Sequence, residues 1–242
     1  TAKLNLDEVT VSGLSLRDLI SKTKTINDDI IRPLNNPIYE EGSLAVLKGN
    51  LAPDGCVIKP AACDKKFFKH KGPAIVFNSY PEMKAVIDRE DFDVTEDHVL
   101  VLRNVGPVGG PGMPEWGMMP IPQKLLKKGV RDMVRISDAR MSGTSYGACI
   151  LHVAPESYIG GPLSLLETGD IIELDVNLRS INMLVDEKTL SLRKKESKAL
   201  KPKAGRGWLW MYSNHVTQAN NGCDFDFLET NFGTSAKEPD IF

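Results

Sequence analysis

Along this chain, apolar and polar positions alternate in short blocks that glycine and proline interrupt, a rhythm of strands more than of helices. Residues 43–50 read as a strand entering a turn. Pro53-Asp54-Gly55 reads as a second turn with a strand behind it, so that the two strands make a hairpin. Residues 72–77 form a buried-type strand, and residues 81–87 a helix with Pro81 in its first turn. Further strands are expected over 98–104 and over 130–136, where Met133, Val134 and Ile136 can face a core, with a helix over 123–128 between them. Residues 147–152 can continue as strand or short helix. Residues 168–176 alternate apolar and acidic side chains, and 179–185 repeat the alternation after a turn, giving another hairpin. Residues 186–203 are charged and helix-prone, with Lys194, Lys195 and Lys198 on a solvated face.

The two ends differ from this middle. Near the start, Leu16, Leu19 and Ile20 share helical spacing, while residues 27–36 are polar and run into prolines 33 and 37. The tail crowds Trp208, Trp210, Met211 and Tyr212 together, which suggests docking onto another surface. The pattern therefore predicts three parts: a partly helical linker over 1–36, a mixed α/β domain on a barrel-like sheet over 37–205, and a docking tail over 206–242. No internal repeat is present.

Composition narrows the partners. Thirty Lys and Arg against 32 Asp and Glu leave a formal charge of −2, which gives no support for nucleic acid or an anionic membrane as partner. No apolar run approaches the ~20 residues a bilayer span requires. Cys56, Cys63, Cys149 and Cys223 show no Cys-x-x-Cys spacing, so they read as buried, inert thiols in a reducing compartment, the cytoplasm. The chain starts at Thr1, which fits a piece of something longer.

Two segments carry candidate chemistry. In the first, the strand over 130–136 runs into a turn where Ser142, Thr144 and Ser145 supply hydroxyls, Gly143 and Gly147 permit close backbone approach, and Arg135 and Arg140 offer charge to an anion. A plain polar connection is the simpler reading of the same residues. The second, residues 106–116, holds four glycines and three prolines and can be neither helix nor central strand. Met113, Trp116, Met118 and Met119 argue against a solvated tether there. Its single carboxylate, Glu115, needs a partner in such surroundings, either an arginine or a hard cation such as Mg²⁺. Lys59 is either a charged site residue or, on general exposure grounds the favoured reading, a solvated lysine, and His152 reads as a structural histidine.

The blocks Ser137-Asp138-Ala139-Arg140-Met141-Ser142-Gly143-Thr144, Leu151-His152-Val153-Ala154-Pro155-Glu156 and Gly160-Gly161-Pro162-Leu163 stand in an order that resembles the family joining dihydroxy-acid and sugar-acid dehydratases. The segment from Gly49 through Gly55 is similar to the start of that family's C-terminal domain, and the resemblance covers nearly the whole chain. It implies a swivelling β/β/α barrel and a hydro-lyase that converts a sugar acid to a 2-keto-3-deoxy acid with an iron–sulfur cluster and Mg²⁺. It further implies Ser142 as the base in its alkoxide form, Glu115 as a magnesium ligand, and Thr144, Arg140 and His215 at the substrate, although packing alone would also account for His215. The cluster cysteines and the other metal ligands belong to the family's N-terminal domain. This chain is therefore expected to lack both ligand sets, to be inactive alone, to partner with that domain, and to work as a homo-oligomer. The ending around Gly222-Cys223-Asp224-Phe225 resembles the sugar-acid branch. In the branched-chain branch, Phe in place of Met141 and Gly in place of Ala139 are expected. A non-catalytic binding module on the same fold is the remaining alternative.

Overall fold

In a computed structural model, which describes residues 4–38, 40–197, 200 and 204–228, eight strands close into a barrel. The strands are β1 (Ala45–Gly49), β2 (Ala52–Ile58), β3 (Lys69–Phe77), β4 (Val99–Leu102), β5 (Arg135–Ser137), β6 (Cys149–Ala154), β7 (Ile171–Asp175) and β8 (Ser180–Met183). Around the barrel the order is β1-β2-β6-β5-β4-β3-β7-β8. Strands β3, β4, β5 and β6 run parallel to their neighbours within that block, and β1–β2, β2–β6, β3–β7 and β7–β8 are antiparallel. Closure comes from the β1–β8 pairing at Lys48 and Ser180.

The side-chain pattern explains which strand sits where. In β1, Ala45 and Leu47 are buried while Val46 and Lys48 face solvent; in β7, Ile172 and Leu174 are buried around exposed Glu173. All four residues of β4 are buried, as a parallel strand covered on both faces requires. Leu47, Leu100, Leu102, Ile136, Ile150 and Leu174 are among the side chains that fill one continuous core.

Helices are few. They are α1 (Leu16–Ser21), α2 (Tyr80–Val86), α3 (Gln123–Lys127), α4 (Glu187–Glu196) and α5 (Gly207–His215). α2 starts where the Ser79 hydroxyl accepts from the Glu82 amide and the Glu82 carboxylate accepts from the Asn78 amide, so two otherwise orphaned donors are satisfied. α4 covers the charged helix-prone stretch with Lys194 and Lys195 exposed; Lys198 lies outside the described residues. Chain contacts divide the molecule into Thr1–Gly42 and Ser43–Phe242, so the barrel and the tail belong to one unit.

Two local expectations are corrected. Pro53-Asp54-Gly55 is not the hairpin turn: β2 runs straight through it, and the chain reverses at Asn50 and Leu51, between Gly49 and its partner Ala52. Gly55 takes φ +112° where the β2–β6 register shifts, so the turn-like tripeptide makes a bulge inside a strand. The strand expected over 130–136 shrinks to Arg135–Ser137. Ahead of it, the buried Asp132 carboxylate takes up the amides of Met133, Ala148 and Asp64, so the backbone is held by a side chain in place of a ladder. Residues 147–152, open between strand and helix in the sequence, enter strand β6 at Cys149.

Candidate active site

Parallel neighbours demand crossover connections, and the two candidate segments are the crossovers from β4 to β5 and from β5 to β6. Arg135, on β5, ties both down. Its guanidinium donates to the carbonyl of Met119 in the first crossover at 2.9 Å and to that of Tyr146 in the second at 3.4 Å, and it pairs with Asp132 at 3.1 Å. Only 1% of the Arg135 side chain is exposed, so it cannot reach an anionic ligand as expected. Gly147 is needed beside it: a Cβ there would lie 2.0 Å from the guanidinium, and φ is +99°.

The glycine- and proline-rich crossover is shaped from inside by two buried carboxylates. Asp138 accepts from the amides of Asn104 and Val105 and from the amide and hydroxyl of Ser157. Glu156 accepts from the amides of Val108 (2.7 Å) and Gly109 (2.9 Å) and from the Gln218 side chain (2.9 Å). Burial raises the pKa of both, and the donated hydrogen bonds oppose that rise. Gly106 leaves the room this requires, since a Cβ would come within 2.6 Å of the Glu156 carboxylate. Met113 and Met119 are buried, and Trp116 stacks on Tyr80 with ring centroids 5.1 Å apart, so the segment is a packed loop.

Glu115 is exposed on this loop and pairs with Arg140 of the second crossover at 3.0 Å. The Arg140 guanidinium also donates to the Met113 carbonyl at 2.5 Å, while the Arg140 carbonyl accepts from the Gly117 amide at 2.8 Å. The two crossovers are thus joined at the position where a metal ligand and a substrate contact were expected. Of the two partners the sequence allowed for Glu115, the structure displays the arginine.

Beyond Arg140 the chain enters the serine turn. Ser142 is partly exposed; its Oγ lies 3.0 Å from the Thr144 hydroxyl, and the Thr144 amide donates to it at 3.4 Å. The turn closes through the Ser145 amide to the Ser142 carbonyl at 3.0 Å. Gly143 has open space where a Cβ would stand. Lys59 reaches in from the end of β2 and donates to the carbonyls of Gly143 and Ser145. Sequence reasoning missed that contact; the one available signal was a lysine directly behind a buried-type strand.

His215 joins a different cluster. It closes α5, its Nδ1 lies 2.9 Å from Asp226, and its ring packs edge-on against Trp210 and Phe227. His152 sits on β6, partly buried, with its pKa lowered by burial and then by the Arg140 charge. The thiols of Cys56, Cys63 and Cys149 are buried, and burial pushes their pKa values up to about 12, 12 and 11. Cys223 is half-buried. Among the described residues no group of three or more His, Cys, Asp and Glu is placed to hold a metal ion. Glu115 is a single carboxylate where a hard dication takes six or more oxygen ligands, and the described cysteines join no group of ligands. The described residues alone therefore do not fit either cofactor.

Residues 29–223 match the profile of the dihydroxy-acid/6-phosphogluconate dehydratase C-terminal domain, and the chain belongs to that family. It is 49% identical over 241 residues to the 6-deoxy-6-sulfo-D-gluconate dehydratase of Pseudomonas putida, covering 98% of this chain and 41% of the relative. It is 45% identical over 230 residues to the L-arabonate dehydratase of Azospirillum brasilense, with 93% and 40% covered. The dihydroxy-acid dehydratase of Methanococcus aeolicus is 41% identical over 218 residues, with 89% and 39% covered. The chain thus spans about two-fifths of the length of these relatives.

Proposed function

We propose that this chain is the C-terminal part of a hydro-lyase that dehydrates a sugar acid to a 2-keto-3-deoxy acid, with Ser142 as the base. The carrying observation is the serine turn: a partly exposed Ser142 hydroxyl, hydrogen-bonded to Thr144, in a chain of a dehydratase family. In this reading the Ser142 alkoxide takes the proton from C2. The C2–H electrons form the C2=C3 bond, the C3 hydroxyl departs and is protonated to water, and the resulting enol tautomerises to the 2-keto acid. Thr144 holds a substrate hydroxyl beside the base. Arg140 turns from Glu115 toward the substrate carboxylate, which leaves Glu115 free as one oxygen ligand. An iron–sulfur cluster and Mg²⁺, held largely by the rest of the protein, supply Lewis acidity in this reading. His215 approaches the substrate only if the tail docks across the site. The aromatic cluster of the tail, where Phe225 stacks on Phe227 at 5.1 Å, gives that docking a surface against the remaining domain or a second copy.

Ser142→Ala in the full-length enzyme tests the assignment, because it deletes the proton acceptor with little change in volume. Loss of a general base lowers turnover by ~10²–10⁴-fold. Exchange of the substrate C2 proton with solvent deuterium should fall in step, since it reports abstraction without needing water loss. Exchange at the wild-type rate would remove Ser142 from the role.

A further inference from the structure

Lys59 directly follows β2, and its ammonium donates to the Gly143 carbonyl at 2.5 Å and to the Ser145 carbonyl at 3.4 Å. Those two carbonyls bracket Thr144, the residue whose hydroxyl and amide both contact Ser142 Oγ. The serine turn is thus closed by its own hydrogen bonds on one side and by a single cation, 84 residues away in sequence, on the other. Lys59 is only partly exposed, so its charge is less screened than that of a free surface lysine.

Among the described residues, the other charged or titratable groups around the turn are paired or neutral. Arg140, on the N-terminal side, pairs with Glu115 here and with the substrate carboxylate in the proposed reaction. Arg135, behind Gly147, is neutralised by Asp132. The Asp64 carboxylate caps the short turn after it through the Lys66 amide, and Lys66 itself pairs with Glu96. Cys63 and Cys149 remain neutral thiols, with values pushed up to about 12 and 11, and Tyr146 is an exposed phenol. A serine hydroxyl is a poor base until a nearby positive charge favours its alkoxide.

We propose that Lys59 is the positioning residue of the serine turn: its ammonium fixes the Gly143 and Ser145 carbonyls and supplies the positive charge that favours the Ser142 alkoxide. This rests on the reading of Ser142 as the base.

The test compares Lys59→Met and Lys59→Arg with wild type and Ser142→Ala in the full-length enzyme, following C2 proton exchange, kcat and KM against pH. Removing an opposite charge within ~4–6 Å of a titrating group moves that group by ~1–3 pH units. Lys59→Met should therefore shift the rising limb of the exchange rate to higher pH by that amount. Near neutrality it should lower kcat by ~10-fold or more, one pH unit being tenfold, and leave KM nearly unchanged. Lys59→Arg keeps the charge and should restore the limb toward its wild-type position. Amide hydrogen exchange across residues 142–147 should quicken in Lys59→Met, a readout that requires no turnover. A Lys59→Met limb coincident with wild type, while Ser142→Ala abolishes exchange, would overturn the role of Lys59 alone. If Ser142→Ala itself exchanges normally, the base assignment fails and this inference with it.

Discussion

His152 occupies a strained position with an identifiable electrostatic consequence. It lies in β6 at φ +55°, in the left-handed region that few side chains adopt, and its amide donates to the Ala139 carbonyl at 3.1 Å. Burial first, and the Arg140 charge second, hold its pKa below the ordinary 6.5, so the folded state keeps the ring neutral. A base with a depressed folded value binds protons more readily when unfolded. The stability it contributes is therefore complete above 6.5 and is lost as the pH falls toward and through the lowered folded value. His152→Asn removes the titration while retaining a residue that tolerates left-handed backbone. The expected result is a melting temperature that declines less than that of wild type between pH 7 and pH 5. Parallel pH–melting curves for the two proteins would show that His152 is not the titrating group. The same burial keeps Cys56, Cys63 and Cys149 as neutral thiols, whereas Cys223, expected to be buried with them, is half-buried.

At the level of elements, β5 organises both crossovers through Arg135 and Asp132. Arg135→Ala would leave Asp132, 7% exposed, as a buried charge without its partner, and would free the carbonyls of Met119 and Tyr146. Breaking such a pair costs ~3–5 kcal/mol, to be read from the midpoint of urea unfolding; a loss below ~1 kcal/mol, the scale of surface pairs, would show that the pair is not a staple. None of this was legible in sequence, where Arg135 looked like an anion-binding residue, because its partners are mostly backbone carbonyls brought in by folding. Strands with clean alternation, β1, β7 and β8, and the wholly apolar β4 were legible, since one face or both had to be buried. The Pro53-Asp54-Gly55 tripeptide misled because turn chemistry is local, whereas the real reversal at Asn50 is fixed by Asn182 and Met183 at the far end of the barrel sequence. Ser142, Thr144 and Glu115 stood out as candidates through contiguous motifs. The Lys59 contact was missed for the same reason as the Asn50 turn: it joins residues remote in sequence.

Across the whole molecule, the unit Thr1–Gly42 differs in kind from the barrel. Its described residues include a single helix, the six residues of α1, and one isolated bridge between Val9 and Ser15. Helices shorter than ~12–15 residues are marginal in water without tertiary packing, and no described residue of this unit is buried. Val9, Val11, Ile26, Ile30, Ile31 and Leu34 are all well exposed. Each such side chain gains ~1.5–3 kcal/mol when fully buried, so covering this segment with a further surface would stabilise it. The relatives are more than twice as long as this chain, and our proposal that it is the C-terminal part of such an enzyme predicts that the remaining part covers these side chains. In the native full-length protein, the peptide bonds after Arg17, Lys22 and Lys24, which all lie in this segment and are exposed here, should therefore resist trypsin about as well as the barrel does. Intact-mass measurement over a digestion time course would show it. Rapid cleavage at these three positions, with the barrel still whole, would mean that residues 4–38 are a solvated tether and that their apolar side chains dock on nothing.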